Sequence, residues 1–278
     1  MSNAIQLVVM GGLGNQMFQI AAGFAYAKRD RKPFLIQRTK NAEDGRALYW
    51  DSVLSQFKDF LVDKLPEEGA AVWNEPGDST QFVDFPAAPA VGVRINGYFQ
   101  SSKYFYNSKS MIRILLSAPD SLQAAVRSKW SQLFTADKEV VVVHARRTDY
   151  CKNADMIAIH GPLSIRYYQN AIQEMCSRVK SPHFLLVSDD NVFWSAVLSM
   201  CPAISEAGYT ILDSENDIET LALLQQFRHF IIANSTFSWW AAWLSESKNV
   251  CAPEKWFGPA GPKHYEDIYE DGWTRIAC

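Results

Sequence analysis

Apolar and polar positions along this chain follow two periods in turn, and the switches between them mark out the elements. IQLVVM at 5–10 is a short continuous apolar run, suited to a strand buried on both faces. Gly11, Gly12 and Gly14 then turn the chain, and Met17, Ile20, Ala21, Phe24 and Ala25 recur at helical spacing. The charged run Lys28, Arg29, Asp30, Arg31 closes that helix, and PFLIQ at 33–37 is the next strand. Residues 40–92 keep neither period, and Pro66, Pro76, Pro86 and Pro89 punctuate them, so short helices and loops are expected. VRINGYFQSSKYFY at 93–106 predicts a strand leading into an aromatic loop, and a helix is expected over much of 108–134.

The pattern sharpens from Glu139. A strand at 140–144 leads to a polar loop. Ser164 then caps a helix with Ile165, Tyr168, Ile172, Met175 and Val179 on one face. Strand 183–187 ends in Ser188-Asp189-Asp190, a helix covers 191–199, and YTIL at 209–212 is a short strand. Ser214-x-x-Asp217 opens a helix in which Ile218, Leu221 and Leu224 share a face. Strand 229–233 ends in Asn234-Ser235-Thr236, a helix carries SWWAAWL, and NVCAP at 249–253 is the last strand. Regular strand–helix alternation predicts parallel sheets covered on both faces. The irregular stretch separates two such regions, so we expect two α/β domains, residues 1–136 and 137–278.

Composition narrows the function classes. Across 278 residues the net charge is -3, which excludes a general nucleic-acid or anionic-membrane binder and makes any basic function local. Cys151, Cys176, Cys201, Cys251 and Cys278 form no C-x-x-C pair and are odd in number, so free thiols and a cytoplasmic location are expected. No apolar run is long enough to cross a bilayer, and no basic leader precedes the amphipathic 17–27 stretch, so neither a transmembrane segment nor a signal peptide is expected.

In open parallel sheets, ligands bind beyond the carboxyl ends of the strands. That rule selects Gly11–Gln16, His144–Asp149, Ser188–Asn191 and Asn234–Ser238, distant stretches expected to meet along one cleft. In VVVVHARRTDY, at 140–150, four buried valines run straight into His144, Arg146, Arg147 and Asp149. Alternation puts His144 and Arg146 on one face and Arg147 on the other. A guanidinium fork fits phosphate oxygens two at a time and stays charged at any working pH, so one arginine can hold a phosphate while Asp149 orients the other. Taken alone, the segment also fits a salt-bridged strand end.

Asn234, Ser235, Thr236 and Ser238 lie where a strand passes into a helix, whose N-terminal amides form a ready phosphate site; an ordinary cap is the plainer account. Trp239, Trp240 and Trp243 lie within that helix and are expected to pack. Asp189 and Asp190 could hold a metal–nucleotide complex, accept a guanine edge or cap a helix; with no further ligand spaced to complete a metal site, base recognition is favoured and no metal is expected. Gly12-x-Gly14 begins like a dinucleotide fingerprint, but Met17 stands where the third glycine belongs, and Arg38 would at best suit a 2′-phosphate. An NADP-dependent Rossmann oxidoreductase and a non-catalytic nucleotide-sugar sensor are the alternatives from other classes.

Together, GGLGNQMFQIAAGFAYA, GYFQSSKYF, VVVHARRTDY, HGPLSIRYYQNAI, FLLVSDDN, IIANSTFSWWAAWL and APEKWF resemble the α-1,2-fucosyltransferase family of inverting glycosyltransferases, in order from residue 11 to 257. The H-x-R-R-x-D core alone is shared with α-1,6 and protein O-fucosyltransferases, which keeps those linkages as alternatives. Thr148 stands where the family has glycine in R-R-G-D-Y, and no membrane anchor like that of eukaryotic members is expected. The resemblance implies a GT-B-like fold, two Rossmann-like parallel-sheet domains facing across a cleft, with GDP-fucose as donor substrate, no cofactor and no obligatory metal. It implies GDP binding by the second domain, through His144, Arg146, Asp190 and Ser235–Ser238, with Gly14 and Asn15 of the first domain facing the fucose and helping to shape the acceptor site. The expected reaction moves L-fucose to the 2-hydroxyl of a β-galactoside, a galactose-terminated oligosaccharide, with inversion. Arg146 is expected to stabilise the departing diphosphate, and Arg147 to share that charge or anchor the loop. Asp149, Asp155, His160 and His144 are the candidate bases. Acceptor choice is expected to lie in 40–106.

Overall fold

The computed structural model describes residues 3–42, 44–66, 70–77, 80–213 and 216–278. The chain divides into an N-terminal unit, Met1–Ser117 with Pro262–Glu270, and a C-terminal unit, Ala118–Gly261 with Asp271–Cys278.

In the N-terminal unit, β1 (Ile5–Leu7), α1 (Leu13–Asp30), β2 (Phe34–Gln37), β3 (Leu61–Val62), β4 (Ala71–Asn74), β5 (Val93–Asn96) and α2 (Lys109–Leu116) follow in order. The strands form one parallel sheet in the order β3-β2-β1-β5-β4. The helical spacing read from Met17 to Ala25 is α1, and these positions are buried except Phe24, which packs edge-on against Phe34, Phe57 and Phe60. The helix stops because Arg31 turns left-handed (φ 55°) and the Lys32 amide reaches back to the Ala27 carbonyl at 2.9 Å. The aromatic loop after β5 is a 3-10 helix over Ser102–Ser108, capped by the Ser101 hydroxyl.

The single helix expected over 108–134 is broken. Helix α2 ends at Leu116, and α3 (Asp120–Lys129) starts after Pro119, which has no N–H to continue the first helix and biases Ala118 away from helical backbone. Consequently the unit boundary falls at 117/118 and not near 136. Helix α3 belongs with the C-terminal unit, held there by Lys129 Nζ on Glu219 at 2.7 Å and Gln226 Nε2 on the Gln123 carbonyl at 3.1 Å. Residues 262–270 return to the N-terminal unit. The Thr80 amide donates to the His264 carbonyl at 2.8 Å, the Phe82 amide to Asp267 Oδ2 at 2.9 Å, and Lys109 pairs with Glu270 at 3.3 Å.

After α3, the C-terminal unit contains β6 (Glu139–Ala145), α4 (Ala154–His160), α5 (Ile165–Arg178), β7 (Pro182–Ser188), α6 (Phe193–Met200), α7 (Pro202–Ala207), β8 (Tyr209–Ile211), α8 (Asp217–Leu224), β9 (His229–Ile231), α9 (Thr236–Leu244), β10 (Asn249–Pro253) and β11 (Thr274–Ile276). Its sheet is also parallel, in the order β11-β10-β9-β6-β7-β8. The valine run explains the centre: β6 pairs on both edges, with β7 and β9, and Val141, Val142 and Val143 are fully buried. Each such side chain contributes about 1.5–3 kcal/mol by leaving water. Helix α5 begins at its predicted Ser164 cap and turns Tyr168, Ala171, Ile172 and Met175 onto that core. The cap expected at Ser214 lies outside the described residues; Asn216 caps α8, its Oδ1 accepting from Ile218 and Glu219 amides.

Candidate active site

The polar run after β6 folds onto itself. Arg146 points its fork at Asp149, with Nε to Oδ1 at 2.9 Å and Nη2 to Oδ2 at 2.8 Å. Asp189, at the end of neighbouring β7, adds a second carboxylate 3.3 Å from Arg146 Nε. Burial alone would lower the arginine's pKa, but the Asp149 bond and the nearby Asp189 and Asp149 charges outweigh it, and the net direction is upward. The guanidinium is therefore a fixed cation, about a quarter exposed along its side chain. Nη1 has no hydrogen-bond partner among the described residues.

Arg147 turns the other way. Its Nη1 donates to the Leu163 carbonyl at 3.1 Å, and its guanidinium lies 4.3 Å from the Phe193 ring centroid. These contacts tie the side chain to the segment before α5 and to the start of α6. Asp189 accepts from the Arg147 amide at 2.8 Å, the Thr148 amide at 3.2 Å and the Thr148 hydroxyl, so it fastens the loop to β7. The threonine in the family's glycine position thus supplies a bond that glycine could not. Asp190 Oδ1 accepts from the Val192 amide at 3.1 Å as α6 approaches.

His144 is buried, its ring 5.7 Å from Phe237 in the first turn of α9, and its Nδ1 has no partner. Loss of hydration and the Arg146 charge lower its pKa to about 3, so the imidazole is neutral at working pH. Of the other candidate bases, both Asp149 oxygens face Arg146, Asp155 is exposed in the first turn of α4, and His160 stacks on Tyr150 at 4.2 Å.

Strand β9 lies beside β6, which brings Asn234–Ser238 to the same rim. Asn234 Nδ2 donates to three carbonyls: His160 at 2.6 Å, Gly161 at 3.2 Å and Trp256 at 3.0 Å. Its own carbonyl accepts from the Tyr150 hydroxyl at 3.0 Å. The side chain is thus the tie that holds the end of α4 and the 256–258 segment against the start of α9. Contact there is close: a Cβ on Gly258 would sit 2.3 Å from the Ala158 carbonyl oxygen. Ser235 is the N-cap of α9 and its hydroxyl makes no capping bond; Thr236 is the first helical residue; the Ser238 hydroxyl is buried and donates to the Ser235 carbonyl at 3.3 Å. Trp239, Trp240 and Trp243 are buried packing residues. Tyr150, whose place at the end of H-A-R-R-T-D-Y could have flagged it, was not among the expected site residues.

Gly14 and Asn15 lie in the first turn of α1, in the N-terminal unit, after a turn in which Gly11 takes φ 79° and gives its amide to Asp44 Oδ1 at 3.2 Å. Asn15 Oδ1 accepts from Gln100 Nε2 at 3.0 Å.

The family model described as Glycosyl transferase family 11 matches residues 3–277. The chain belongs to that family. It is a glycosyltransferase of the α-1,2-fucosyltransferase family, and the oxidoreductase alternative falls with that finding. It is 26% identical to an α-1,2-colitosyltransferase of Escherichia coli, over 96% of each chain. It is 24% identical to the galactoside 2-α-L-fucosyltransferase Sec1 of Mus musculus, over 97% of this chain and 73% of that one. The fucosyltransferase NodZ from Bradyrhizobium superposes with a TM-score of 0.53 at 11% identity, covering 87% of this chain and 92% of that one. A mutant of Arabidopsis thaliana FUT1 in complex with GDP gives 0.52 at 14%, covering 92% and 72%. These likenesses establish the fold: two parallel-sheet α/β domains of the GT-B type. Among the described residues, no three His, Cys, Asp or Glu side chains gather as a metal site, and no helix is long and apolar enough to cross a membrane.

Proposed function

We propose that this glycosyltransferase moves L-fucose from GDP-fucose to the 2-hydroxyl of a β-galactoside, with inversion at the anomeric carbon. The observation that carries the reading is Arg146, a partly exposed guanidinium held rigid at the end of β6 by Asp149 and Asp189, on the rim shared with the N-terminus of α9. Family membership and α-1,2-linking relatives support the chemistry. The acceptor oxygen attacks C1 of the sugar and forms the new C–O bond. The bond from C1 to the β-phosphate oxygen breaks, and its electron pair leaves with GDP. Charge grows on that phosphate as the bond breaks, so a cation and helix amides fixed beforehand stabilise the transition state more than the ground state. Asp190 takes the guanine edge at the end of β7. The acceptor proton departs late from an oxocarbenium-like transition state to an exposed base or water, since His144, its pKa lowered to about 3, is too weak a base and Asp149 is engaged. The diphosphate charge is met by protein groups, so transfer persists in EDTA.

A second reading has a specific observation behind it: the relative at 26% identity is named for colitose, the 3-deoxy counterpart of fucose. Both donors present the same leaving group to Arg146. The test compares GDP-fucose and GDP-colitose with lactose as acceptor, with linkage and anomeric configuration read by NMR. An α-1,2-fucosyl product and a melting temperature raised by GDP-fucose, by the equivalent of about 2.7 kcal/mol at a hundredfold excess over Kd, are expected. Preferential turnover of GDP-colitose would replace the donor, and a product of another linkage would overturn the reading.

A further inference from the structure

The phosphate chemistry at the β6 rim makes no use of the GYFQSSKYF segment, residues 97–105. In the fold it forms the loop beyond β5, beside the glycine turn after β1, since β1 and β5 pair directly. Gln100 is buried to 7% exposure. Its Nε2 donates to Asn15 Oδ1 at 3.0 Å, while its Oε1 is buried with no partner. Turning the amide over would set Gln100 Oε1 against Asn15 Oδ1, two acceptors face to face, so the oxygen is the atom left without a partner. A buried amide oxygen without a donor is costly, and such orphans call for an explanation, a ligand being one.

The backbone there is constrained at some expense. Phe99 is fully buried in the left-handed region (φ 51°), unusual for a bulky residue. Glu75, just past β4, holds it there: Oε2 accepts from the Tyr98 amide at 2.7 Å and the Phe99 amide at 2.9 Å, and Oε1 from the Tyr104 hydroxyl at 3.4 Å. Gly97 lets the carboxylate approach, because a Cβ there would lie 2.4 Å from Glu75 Cβ. A half-buried carboxylate, spent on two amides of one turn, fixes where the next residue, Gln100, points.

We propose that Gln100 receives a hydroxyl of the saccharide acceptor, its free amide oxygen accepting the O–H beside Asn15, and that Glu75 is the positioning residue that sets this geometry. The inference rests on the fucosyltransfer reading for the reaction but assigns a separate contact, on the N-terminal unit.

The experiment uses the full chain, GDP, GDP-fucose and lactose. Gln100→Leu keeps the side chain's bulk and removes its polar atoms. It should raise the lactose KM about tenfold or more while leaving the GDP-induced melting shift and the slow hydrolysis of GDP-fucose without acceptor within twofold of the parent. Saturation-transfer NMR with GDP present should show lactose contact in the parent and its loss in Gln100→Leu. Glu75→Ala should raise KM in the same way, and Glu75→Gln, which keeps one accepting oxygen, should recover much of it. A purely structural Glu75 would shift melting without moving KM. An unchanged KM in Gln100→Leu, equal loss of hydrolysis and transfer, or no lactose contact in the parent would each overturn the proposal. Lactose contact that depends on Gln100 without fucosyl transfer would uphold it and overturn the fucosyltransfer reading alone. If Glu75→Ala does not fold, Gln100→Leu and Glu75→Gln still decide the matter.

Discussion

Arg146 and Asp149 meet at two points within one turn of chain, Nε on Oδ1 at 2.9 Å and Nη2 on Oδ2 at 2.8 Å. The pairing leaves the charge in place and fixes its direction, so the role proposed for Arg146 can be tested at either partner.

Arg146→Lys keeps a cation but loses the planar fork, so kcat should fall about 100–1,000-fold, the usual cost of one lost transition-state donor. Asp149→Asn keeps shape and removes the charge that aims the guanidinium; a kcat loss of roughly 100-fold is expected from misplacement alone. Steady-state kinetics with circular dichroism to verify folding checks both. An Arg146→Lys enzyme with near-parental turnover would remove Arg146 from the chemistry.

Asn234 should behave as a structural tie. Asn234→Leu strands the carbonyls of His160, Gly161 and Trp256, which now share one amide. A stability loss of about 1–3 kcal/mol is expected. Asn234→Asp should be worse, because a carboxylate would face three carbonyl oxygens and could donate to none of them. Thermal melting ranks the variants, and an Asn234→Leu protein as stable as the parent would show that the tie contributes nothing.

His144 makes stability depend on acid. Its pKa falls from 6.5 to about 3 on folding, so the unfolded chain takes up a proton that the native protein refuses. The contribution is fully present above about pH 6.5 and is lost progressively as pH falls toward 3. Its upper bound is roughly 5 kcal/mol at about 1.4 kcal/mol per pH unit. The melting temperature of His144→Gln should decline less steeply than the parent's across that window. Parallel curves would mean that the imidazole stays solvated.

Much of this fold is legible in the sequence because β6 and its neighbours are long, apolar and sharply ended. The rule that ligands sit beyond strand carboxyl ends is enough to bring Arg146, Asp189 and Asn234 to one rim. Strands β3 and β4 are not readable, since runs as short as Leu61–Val62 and Ala71–Asn74 carry no period of their own. Helix α4 escapes for a related reason: ADMIAIH is under two turns, too short for Met156, Ile157 and Ile159 to set a helical period, it buries no residue, and only its Asn153 cap hints at it. The break at Pro119 is open to local reasoning, whereas the allegiance of α3 to α8 depends on contacts such as Lys129–Glu219, about a third of the chain apart. Sequence distance likewise hides Glu75 from Phe99 and Gln100 from Asn15, links that hydropathy does not encode.

The return of residues 262–270 to the N-terminal unit bears on any attempt to dissect the enzyme. A chain stopped after Gly261 would strip Lys103 and Lys109 of Asp267 and Glu270, and would also delete the edge strand β11 from the other sheet. Expressing residues 1–117 alone would leave out the same acidic strap. Fragment work should therefore supply 262–270 in trans or splice it on by a linker, and tags at the C-terminus should be judged by their effect on both units.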